Sequence, residues 1–264
     1  MNITARLALG SKLQYQLRSN SVYVLAGIVL FGTLAMWEAS VRLLEIGSFV
    51  MPAPSDVVVS FIRIVKSGEL FAAAKITLIE VLVGFGIAAV VGLTLGGLVG
   101  LIPFAERFLM PYVVAGQCIP TITIAPLTLL WFGFGVESKI ATAAMAAWFP
   151  IFIGTLNGFR VQSPAEQEML TSFYGSAWQI FRMLRIPRAL PYIFTGLDVG
   201  FVFAILGAIV GEFIGGSAGL GVRILEASTF YDIPSMFAYL LTLSLIGLTG
   251  HGVINGIQRR LLFW

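Results

Sequence analysis

Six long apolar runs in this chain of 264 residues constrain its fold more than any other feature. A helix rises about 1.5 Å per residue, so a hydrocarbon core about 30 Å thick requires roughly 20 apolar residues. Helices also satisfy their own backbone hydrogen bonds, which lipid cannot do. The runs cover residues 22–41, 76–102, 110–132, 140–159, 193–214 and 235–257. The sequence therefore predicts an all-α, polytopic membrane protein with about six transmembrane helices.

The composition excludes several functional classes. Apolar residues make up 58% of the chain and charged residues 11%, against the roughly 25% charged residues of soluble domains. The net charge of +3 is spread along the chain, so a nucleic-acid partner is not expected. A single cysteine, Cys118, and a single histidine, His251, exclude an internal disulfide and the usual zinc and hydrolytic sites. We interpret both as packing residues and predict neither a catalytic nor a metal site.

The positions of lysine and arginine predict the orientation in the membrane. With a cytoplasmic N-terminus, ten of the sixteen basic residues lie inside: Arg6, Lys12, Arg18, Arg107, Arg160, Arg182, Arg185, Arg188, Arg259 and Arg260. The other six lie outside: Arg42, Arg63, Lys66, Lys75, Lys139 and Arg223. This asymmetry and the even number of spans predict that both termini are cytoplasmic. Residues 1–21 then form a cytoplasmic segment and residues 22–264 a single transmembrane domain, with the first run as a retained anchor.

Prolines interrupt the third run. Pro111 suits the start of a helix, whereas Pro120 and Pro126 lie within the run and should bend or break it. A break at membrane depth is stable beside protein or a water-filled cavity. We therefore predict that this run lines a solute pathway, with a kink that serves only helix packing as the alternative. The candidate pathway residues here are Ile119, Pro120, Thr121, Thr123 and Pro126.

Two further patterns predict local structure. The second run contains glycines whose spacing favours close helix packing: Gly84, Gly86, Gly92, Gly96, Gly97 and Gly100. Before it, apolar residues recur at helical spacing and predict a helix along the membrane surface: Val57, Val58, Phe61, Ile62 and Val65.

Four acidic residues lie within the apolar runs, where a charge costs at least a few kcal/mol. They are Glu38, Glu80, Asp198 and Glu212. Glu38 lies near the outer end of the first run, where contact with lipid headgroups and a pathway role are both open. The other three are candidate pathway residues, with hydrogen bonding between helices as the alternative. For Glu212 we favour a structural or gating role over direct solute contact.

The longest loop on the predicted cytoplasmic side, residues 160–192, contains a predicted amphipathic helix. Pro164 suits a helix start, and Glu166 and Glu168 favour the positive end of the helix dipole. Large apolar side chains would be exposed on or near this helix: Met169, Leu170, Phe173 and Trp178. They require a protein partner or the membrane surface as cover. Pro187 and Pro191 are expected to end one element before the fifth span begins.

Residues 168–187 carry a spaced pattern made of Glu168, Met169, Leu170, Tyr174, Leu184, Ile186 and Pro187. The spacing resembles the loop of permeases of binding-protein-dependent ABC importers: Glu-Ala-Ala, three residues, Gly, nine residues, Ile, one residue, Leu-Pro. Larger residues replace both alanines, and Tyr174 replaces the glycine, with Gly175 one place later. The resemblance implies a cytoplasmic coupling helix that docks on an ATPase subunit. The docking residues it implies are Pro164, Glu168, Met169, Leu170, Phe173, Tyr174 and Gly175.

Further segments are similar to the nitrate, sulfonate, taurine and bicarbonate branch of these permeases. They are Met51-Pro52-Ala53-Pro54-Ser55, Ile119-Pro120, Ala125-Pro126-Leu127, Leu130-Trp131-Phe132-Gly133-Phe134-Gly135, Ser138-Lys139-Ile140, Gly211-Glu212-Phe213-Ile214-Gly215 and Gly219-Leu220-Gly221. In that branch arginine is common at the positions of Glu80 and Asp198. Two acids at these positions argue against an anionic solute.

The resemblance implies a permease subunit in the cytoplasmic membrane of a bacterium. It would work as a homodimer with two ATPase subunits and an extracytoplasmic solute-binding protein, carrying a sulfonate, nitrate, bicarbonate or small heterocycle. The chain has no phosphate-binding Gly-x-x-x-x-Gly-Lys-Ser/Thr sequence, so ATP and Mg²⁺ would be bound by the ATPase, with no cofactor in this chain. The alternative is a membrane-embedded enzyme built from the four acids and His251, which no paired His or Asp spacing supports.

Overall fold

The computed structural model describes residues 24–161 and 164–262, which form α-helices and one π-helical turn without any β-strand. The first helices are α1 (Val24–Leu43), α2 (Pro54–Ser67), α3 (Glu69–Leu101), α4 (Pro103–Gln117), α5 (Thr121–Phe132) and α6 (Val136–Arg160). They are followed by α7 (Pro164–Ser172), α8 (Ala177–Ile180), the π-helical turn (Phe181–Arg185), α9 (Ile186–Gly215), α10 (Leu220–Thr229) and α11 (Ile233–Leu261). The predicted all-α fold is confirmed.

Three long helices, α3, α6 and α9, form the centre of the molecule because small residues line their contacts. A Cβ atom on Gly154 of α6 would lie 2.7 Å from the Cα atom of Gly196 in α9. A Cβ atom on Gly96 of α3 would lie 2.6 Å from the carbonyl oxygen of Phe152 in α6. Such close backbone approach drives helix association inside a membrane. The predicted packing role is likewise confirmed for Gly84, Gly92 and Gly100, whereas Gly86 has open space beside it.

The number of membrane-spanning helices agrees with the prediction. Five helical segments are long and apolar enough to cross a membrane, and the bent pair of α4 and α5 makes a sixth if it counts as one span. The helices extend beyond the apolar runs, since α3 begins at Glu69 and α9 begins at Ile186. Helical hydrogen bonding continues past the charged residues that end an apolar run. Hydropathy therefore marks the part of each helix that meets lipid, and not its ends.

The third apolar run forms two helices, α4 and α5, with an 89° bend between them. Pro120 precedes α5 and has an extended backbone with ψ of 132°, so the predicted break is confirmed there. Pro126 lies inside α5 without ending it. The prediction that Pro111 starts a helix is wrong, because α4 begins at Pro103 and runs through Pro111. Pro103 suits the first position of α4, because an N–H group there would have no partner within the helix.

The helix that leads into the fifth span is continuous, so the predicted end at Pro187 and Pro191 is wrong. The segment of α8, the π-helical turn and α9 runs unbroken from Ala177 to Gly215. A proline removes one donor and crowds the carbonyl group four residues earlier. The turn widens the helix just before Pro187, where the N–H of Ile186 donates to the carbonyl of Phe181, five residues back. This widening lets the helix accommodate the proline.

The segment after the first span forms the helix α2, as predicted, and its position along the membrane surface stays a prediction. It buries Val57, Ser60 and Ile64 against the rest of the chain. Glu38 of α1 accepts hydrogen bonds from the backbone N–H and the hydroxyl of Ser55, at 3.0 and 2.8 Å. This acid therefore ties α1 to the start of α2, a structural contact that neither role considered for it anticipates.

Candidate functional site

The loop between α6 and α9 exposes large apolar side chains. Helix α7 begins at Pro164, as predicted. Met169 in this helix is 53% exposed, and Phe173 and Tyr174 just after it are 78% and 96% exposed. Trp178 in α8 is 65% exposed. An apolar surface of this kind outside the membrane-spanning helices suits contact with a partner protein.

The end of α7 is fixed by a Schellman motif. The N–H of Gly175 donates to the carbonyl of Leu170 at 2.9 Å, and the N–H of Tyr174 donates to the carbonyl of Thr171 at 3.0 Å. Tyr174 has φ of 58°, the left-handed region that favours glycine. A Cβ atom on Gly175 would lie 2.7 Å from the carbonyl oxygen of Leu170. The left-handed turn that glycine makes at this position of the loop pattern is therefore present here, with Tyr174 in place of glycine.

Two contacts hold this loop against the long helices. Arg188 in α9 forms an ion pair with Glu166 in α7. In the π-helical turn, the ring of Phe181 stacks on Phe159 of α6 with centroids 6.1 Å apart, and the centroid of the Trp178 ring lies 5.7 Å from that of Phe181. A force on α7 or α8 therefore reaches α9 through covalent, ionic and ring contacts.

The broken third run presents one packed and one exposed face. Ala125 and Thr128 of α5 are buried, and the Thr128 hydroxyl lies 2.7 Å from the hydroxyl of Thr142 in α6. The predicted pathway residues in this region are exposed or half-buried: Ile119, Pro120, Thr121, Thr123 and Pro126. Ile119 and Pro120 lie at the bend before α5, and Thr121 lies on the side of Ala125 and Thr128, whereas Thr123 and Pro126 lie on the exposed side of α5.

A buried polar cluster joins α3, α9 and α10 at the end of α9 opposite the loop. The carboxylate of Glu212 accepts a hydrogen bond from the Thr77 hydroxyl at 2.6 Å and another from the N–H of Gly221. The Thr77 hydroxyl in turn accepts from the N–H of Leu220 at 2.8 Å. Both Glu212 and Thr77 are 1% exposed. A carboxylate at the N–H groups of a helix start is favourable, so Glu212 anchors α10 to the long helices.

Glycines make room for that carboxylate. Gly219 has φ of 125° and a Cβ atom on it would overlap the carboxyl group of Glu212. A Cβ atom on Gly221 would lie 2.7 Å from Oε2 of the same carboxylate. The Gly-Leu-Gly segment therefore follows from the position of Glu212.

Glu80 and Lys139 complete the buried cluster. Glu80 is 1% exposed and lies near Glu212, and its Oε2 atom has no partner among the described residues. The ammonium of Lys139 lies within electrostatic range of both acids and is 2% exposed. It donates to three carbonyl groups at 2.7, 3.0 and 2.7 Å, those of Phe134, Gly135 and Gly215.

Asp198 lies apart from this cluster and contacts His251 in α11. The Nδ1 atom of His251 is 2.7 and 2.9 Å from the two carboxylate oxygens of Asp198, and the amide nitrogen of Asn255 is 2.8 Å from Nε2. The side chains of His251 and Asp198 are 52% and 28% exposed. The interpretation of His251 as a packing residue is therefore wrong, as is that of Cys118, which is exposed. Polar contacts, not apolar packing, determine the position of the histidine.

Comparison with known proteins identifies the family. Residues 88–263 match the family described as the inner membrane component of binding-protein-dependent transport systems. The chain belongs to this permease family. The riboflavin transport system permease protein of Chloroflexus aurantiacus is 36% identical over 90% of this chain and 88% of that protein. The formylaminopyrimidine transport permease protein of Halalkalibacterium halodurans is 32% identical over 88% and 92%. A Bacillus subtilis permease named for aliphatic sulfonates is 31% identical over 88% and 84%.

Solved structures share the fold of this permease. A chain of the inward-facing MetNI methionine ABC transporter aligns with a TM-score of 0.65 and 20% identity, over 74% of the permease and 97% of that chain. A chain of an amino acid ABC transporter aligns with a TM-score of 0.61 and 18% identity, over 76% and 98%. At these identities the likeness concerns the fold alone.

The comparisons confirm the predicted family and its transport function. The permease is a multi-pass membrane subunit of an ABC transporter that works with the other components of such a system. The alternative of a membrane-embedded enzyme has no support, because the relatives are named as transport permeases. The docking and pathway residues stay predictions, and the predicted cytoplasmic segment 1–21 lies outside the described residues.

Sequence reasoning missed two residues of the permease that carry charge or polarity inside the long helices. Lys139 falls among the residues predicted to lie outside, although the turn before it brings two carbonyl groups to its ammonium and the end of α9 brings a third. His251 has polar neighbours along its helix, since Asn255 follows it by four residues and Ser244 precedes it by seven. That spacing places the three side chains on one helix face, which was the available signal.

Proposed function

We propose that two copies of this permease form the pathway of an importer whose two ATPase subunits dock on the α7 helices. An extracytoplasmic binding protein delivers the solute on the opposite side. The observation that carries the proposal is the exposed apolar surface of α7 and α8, made of Met169, Phe173, Tyr174 and Trp178. Trp178 lies on the continuous helix that leads into α9, and the ion pair between Glu166 and Arg188 ties α7 to that helix. ATP and Mg²⁺ belong to the ATPase subunits, and this chain supplies the docking surface.

The continuous helix explains how nucleotide-driven closure would reach the pathway. The segment Ala177–Gly215 has 39 residues and passes Asp198 before it ends at the buried cluster of Glu212. Movement of the ATPase subunits would displace α7, and the ion pair between Glu166 and Arg188 would pass that displacement to α9. The helix then changes the position of both polar sites together.

We infer a small organic molecule as the solute. Two relatives at 36% and 32% identity are named for riboflavin and formylaminopyrimidine transport, and a third at 31% for aliphatic sulfonates. Two of these three solutes are nitrogen heterocycles. Identifying the ligand of the binding protein that stimulates this permease tests the assignment.

The exposed face of α5 is the proposed wall of the pathway. Single cysteines at residues 119–126, in a Cys118→Ser background, are expected to react with water-soluble thiol reagents at Ile119, Thr123 and Pro126. Cysteines at the buried positions Ala125 and Thr128 serve as matched controls and should be protected. The measurement is the rate of labelling in membrane vesicles, with and without ATP. Equal protection of both faces in every state would refute a pathway lined by α5.

The orientation is also proposed, with α7 in the cytoplasm. Glu69 and Arg223 line one surface pocket at the other end of the molecule, which agrees with their shared placement outside. Reporter fusions are expected to place residues near Arg182 and Arg260 in the cytoplasm and residues near Glu69 and Arg223 outside. A reporter near Arg182 that is active only on the outside would exclude ATPase docking on α7.

A further inference from the structure

Helix α11 separates a polar surface from an apolar groove. On one face it carries Ser244, His251 and Asn255, at the spacing of a single helix side. The opposite face lines an apolar groove together with α3 and α9. The groove residues include Leu78, Leu82, Phe85, Leu245, Val253 and Ile257.

The two faces have different surroundings in a membrane. The groove is lined almost entirely by carbon atoms, a surface that suits lipid chains. Polar and ionisable side chains within membrane-spanning helices face protein or water instead, because their exposure to lipid is costly. The face with His251 and Asn255 therefore points away from lipid.

The polar face lies within the apolar part of both helices. Asp198 is five residues from the start of the apolar run 193–214, and His251 is six residues from the end of the run 235–257. At about 1.5 Å per residue, these distances are roughly 8 and 9 Å along the helices. The half-exposed pair therefore faces protein, water or a polar molecule in this half of the membrane.

We propose that Asp198, His251 and Asn255 form a solute-contact site that takes neutral or cationic molecules bearing N–H groups and disfavours anions. This proposal rests on the proposed transport pathway and specifies the class of solute that it carries. The carboxylate of Asp198 contacts one ring nitrogen of His251, which leaves further lone pairs that accept hydrogen bonds. Asn255 adds an amide that both donates and accepts hydrogen bonds. Asp198 and Asn255 together therefore match the N–H and C=O groups along one edge of a nitrogen heterocycle.

The charge of the site supports this solute class. With a neutral imidazole the pair of Asp198 and His251 carries one negative charge, and with a protonated imidazole it carries none. The pair itself therefore carries no net positive charge that would attract an anion. Arg259 lies one turn beyond Asn255, near the end of α11, and Lys139 is buried against three carbonyl groups. Neither changes the net charge of the pair itself.

Charge-selective thiol labelling tests the site without knowledge of the natural solute. The variants are Asn255→Cys, Val253→Cys and Thr123→Cys, each with Cys118→Ser in membrane vesicles that contain the whole importer. The probes are a cationic and an anionic methanethiosulfonate reagent of similar size. Asn255→Cys is expected to react with a higher ratio of cationic to anionic rate than Thr123→Cys. Adding Asp198→Asn should lower that ratio about fivefold, because one nearby unit charge is removed.

The outcomes separate this inference from the proposed pathway. Protection of Val253→Cys together with labelling of Asn255→Cys supports the site, since the two residues lie on opposite faces of one helix. Protection of Asn255→Cys while Thr123→Cys reacts overturns the site and leaves the pathway intact. Protection of both overturns both proposals. A disulfide between two Asn255→Cys copies would show that this face is a contact between copies and would overturn the site. An unchanged rate ratio in Asp198→Asn would overturn the proposed charge selectivity.

Discussion

Glu168→Lys is expected to abolish ATP-driven uptake while the permease still inserts into the membrane. Glu168 is exposed on α7 beside Met169, so its replacement costs the isolated chain little. In the docked complex, a reversed charge inside the interface would cost several kcal/mol through repulsion and desolvation. Because 1.4 kcal/mol corresponds to about a tenfold change in binding, uptake should fall by at least about tenfold. The measurement is solute uptake and binding-protein-stimulated ATP hydrolysis in proteoliposomes.

Two further variants make this result interpretable. Glu69→Lys reverses an exposed acid at the start of α3, far from α7, and should leave uptake unchanged. Tyr174→Gly relieves the left-handed backbone of the tyrosine and keeps the Schellman turn, so the loop should stay folded. Co-purification of the ATPase with each variant separates loss of docking from loss of coupling. Wild-type uptake by Glu168→Lys, with the ATPase still bound, would contradict a docking role for this face.

The sequence predicts the helices of this permease well because lipid imposes a simple requirement on length and polarity. The break at Pro120 and the helix at Pro164 follow from the local properties of proline. Helix ends are less predictable, since α3 and α9 continue past the apolar runs into segments with charges. The continuous helix through Pro187 depends on a π-helical turn that local preferences do not indicate.

Contacts between distant residues account for most of what the sequence does not predict. Glu80 and Glu212 lie 132 positions apart in the sequence and come close because α3 and α9 pack against each other near the start of α10. Helix α3 is apolar on nearly all sides, so its periodicity does not show which face carries Glu80 inward. Lys139 stands among polar residues after a turn and resembles an outside charge. Only the packing of that turn against the end of α9 reveals its burial.

Lys139→Met is expected to destabilise the permease more than any other single change in the buried cluster. The variant leaves the carbonyl groups of Phe134, Gly135 and Gly215 without their donor. It also removes the buried cation nearest to two buried carboxyl groups, whose uncompensated charge costs about 3–5 kcal/mol when a partner is lost. For a chain of this size the loss corresponds to a fall of about 10 °C in Tm. The Tm is measured by heating the detergent-purified protein and recording the fraction that stays monodisperse at each temperature.

Double variants distinguish charge compensation from simple packing at Lys139. Glu80→Gln removes a carboxyl group whose Oε2 atom has no partner among the described residues, so adding it to Lys139→Met should recover part of the lost Tm. Glu212→Gln should not rescue, because the Glu212 carboxylate also accepts from Thr77 and from the N–H of Gly221 at the start of α10. Lys66→Met, at an exposed lysine of α2, is the matched control and should unfold like the wild type. Equal rescue by both glutamine variants would mean that Lys139 only balances the total charge of the two carboxyl groups. An unchanged Tm in Lys139→Met would show that the cluster needs no cation.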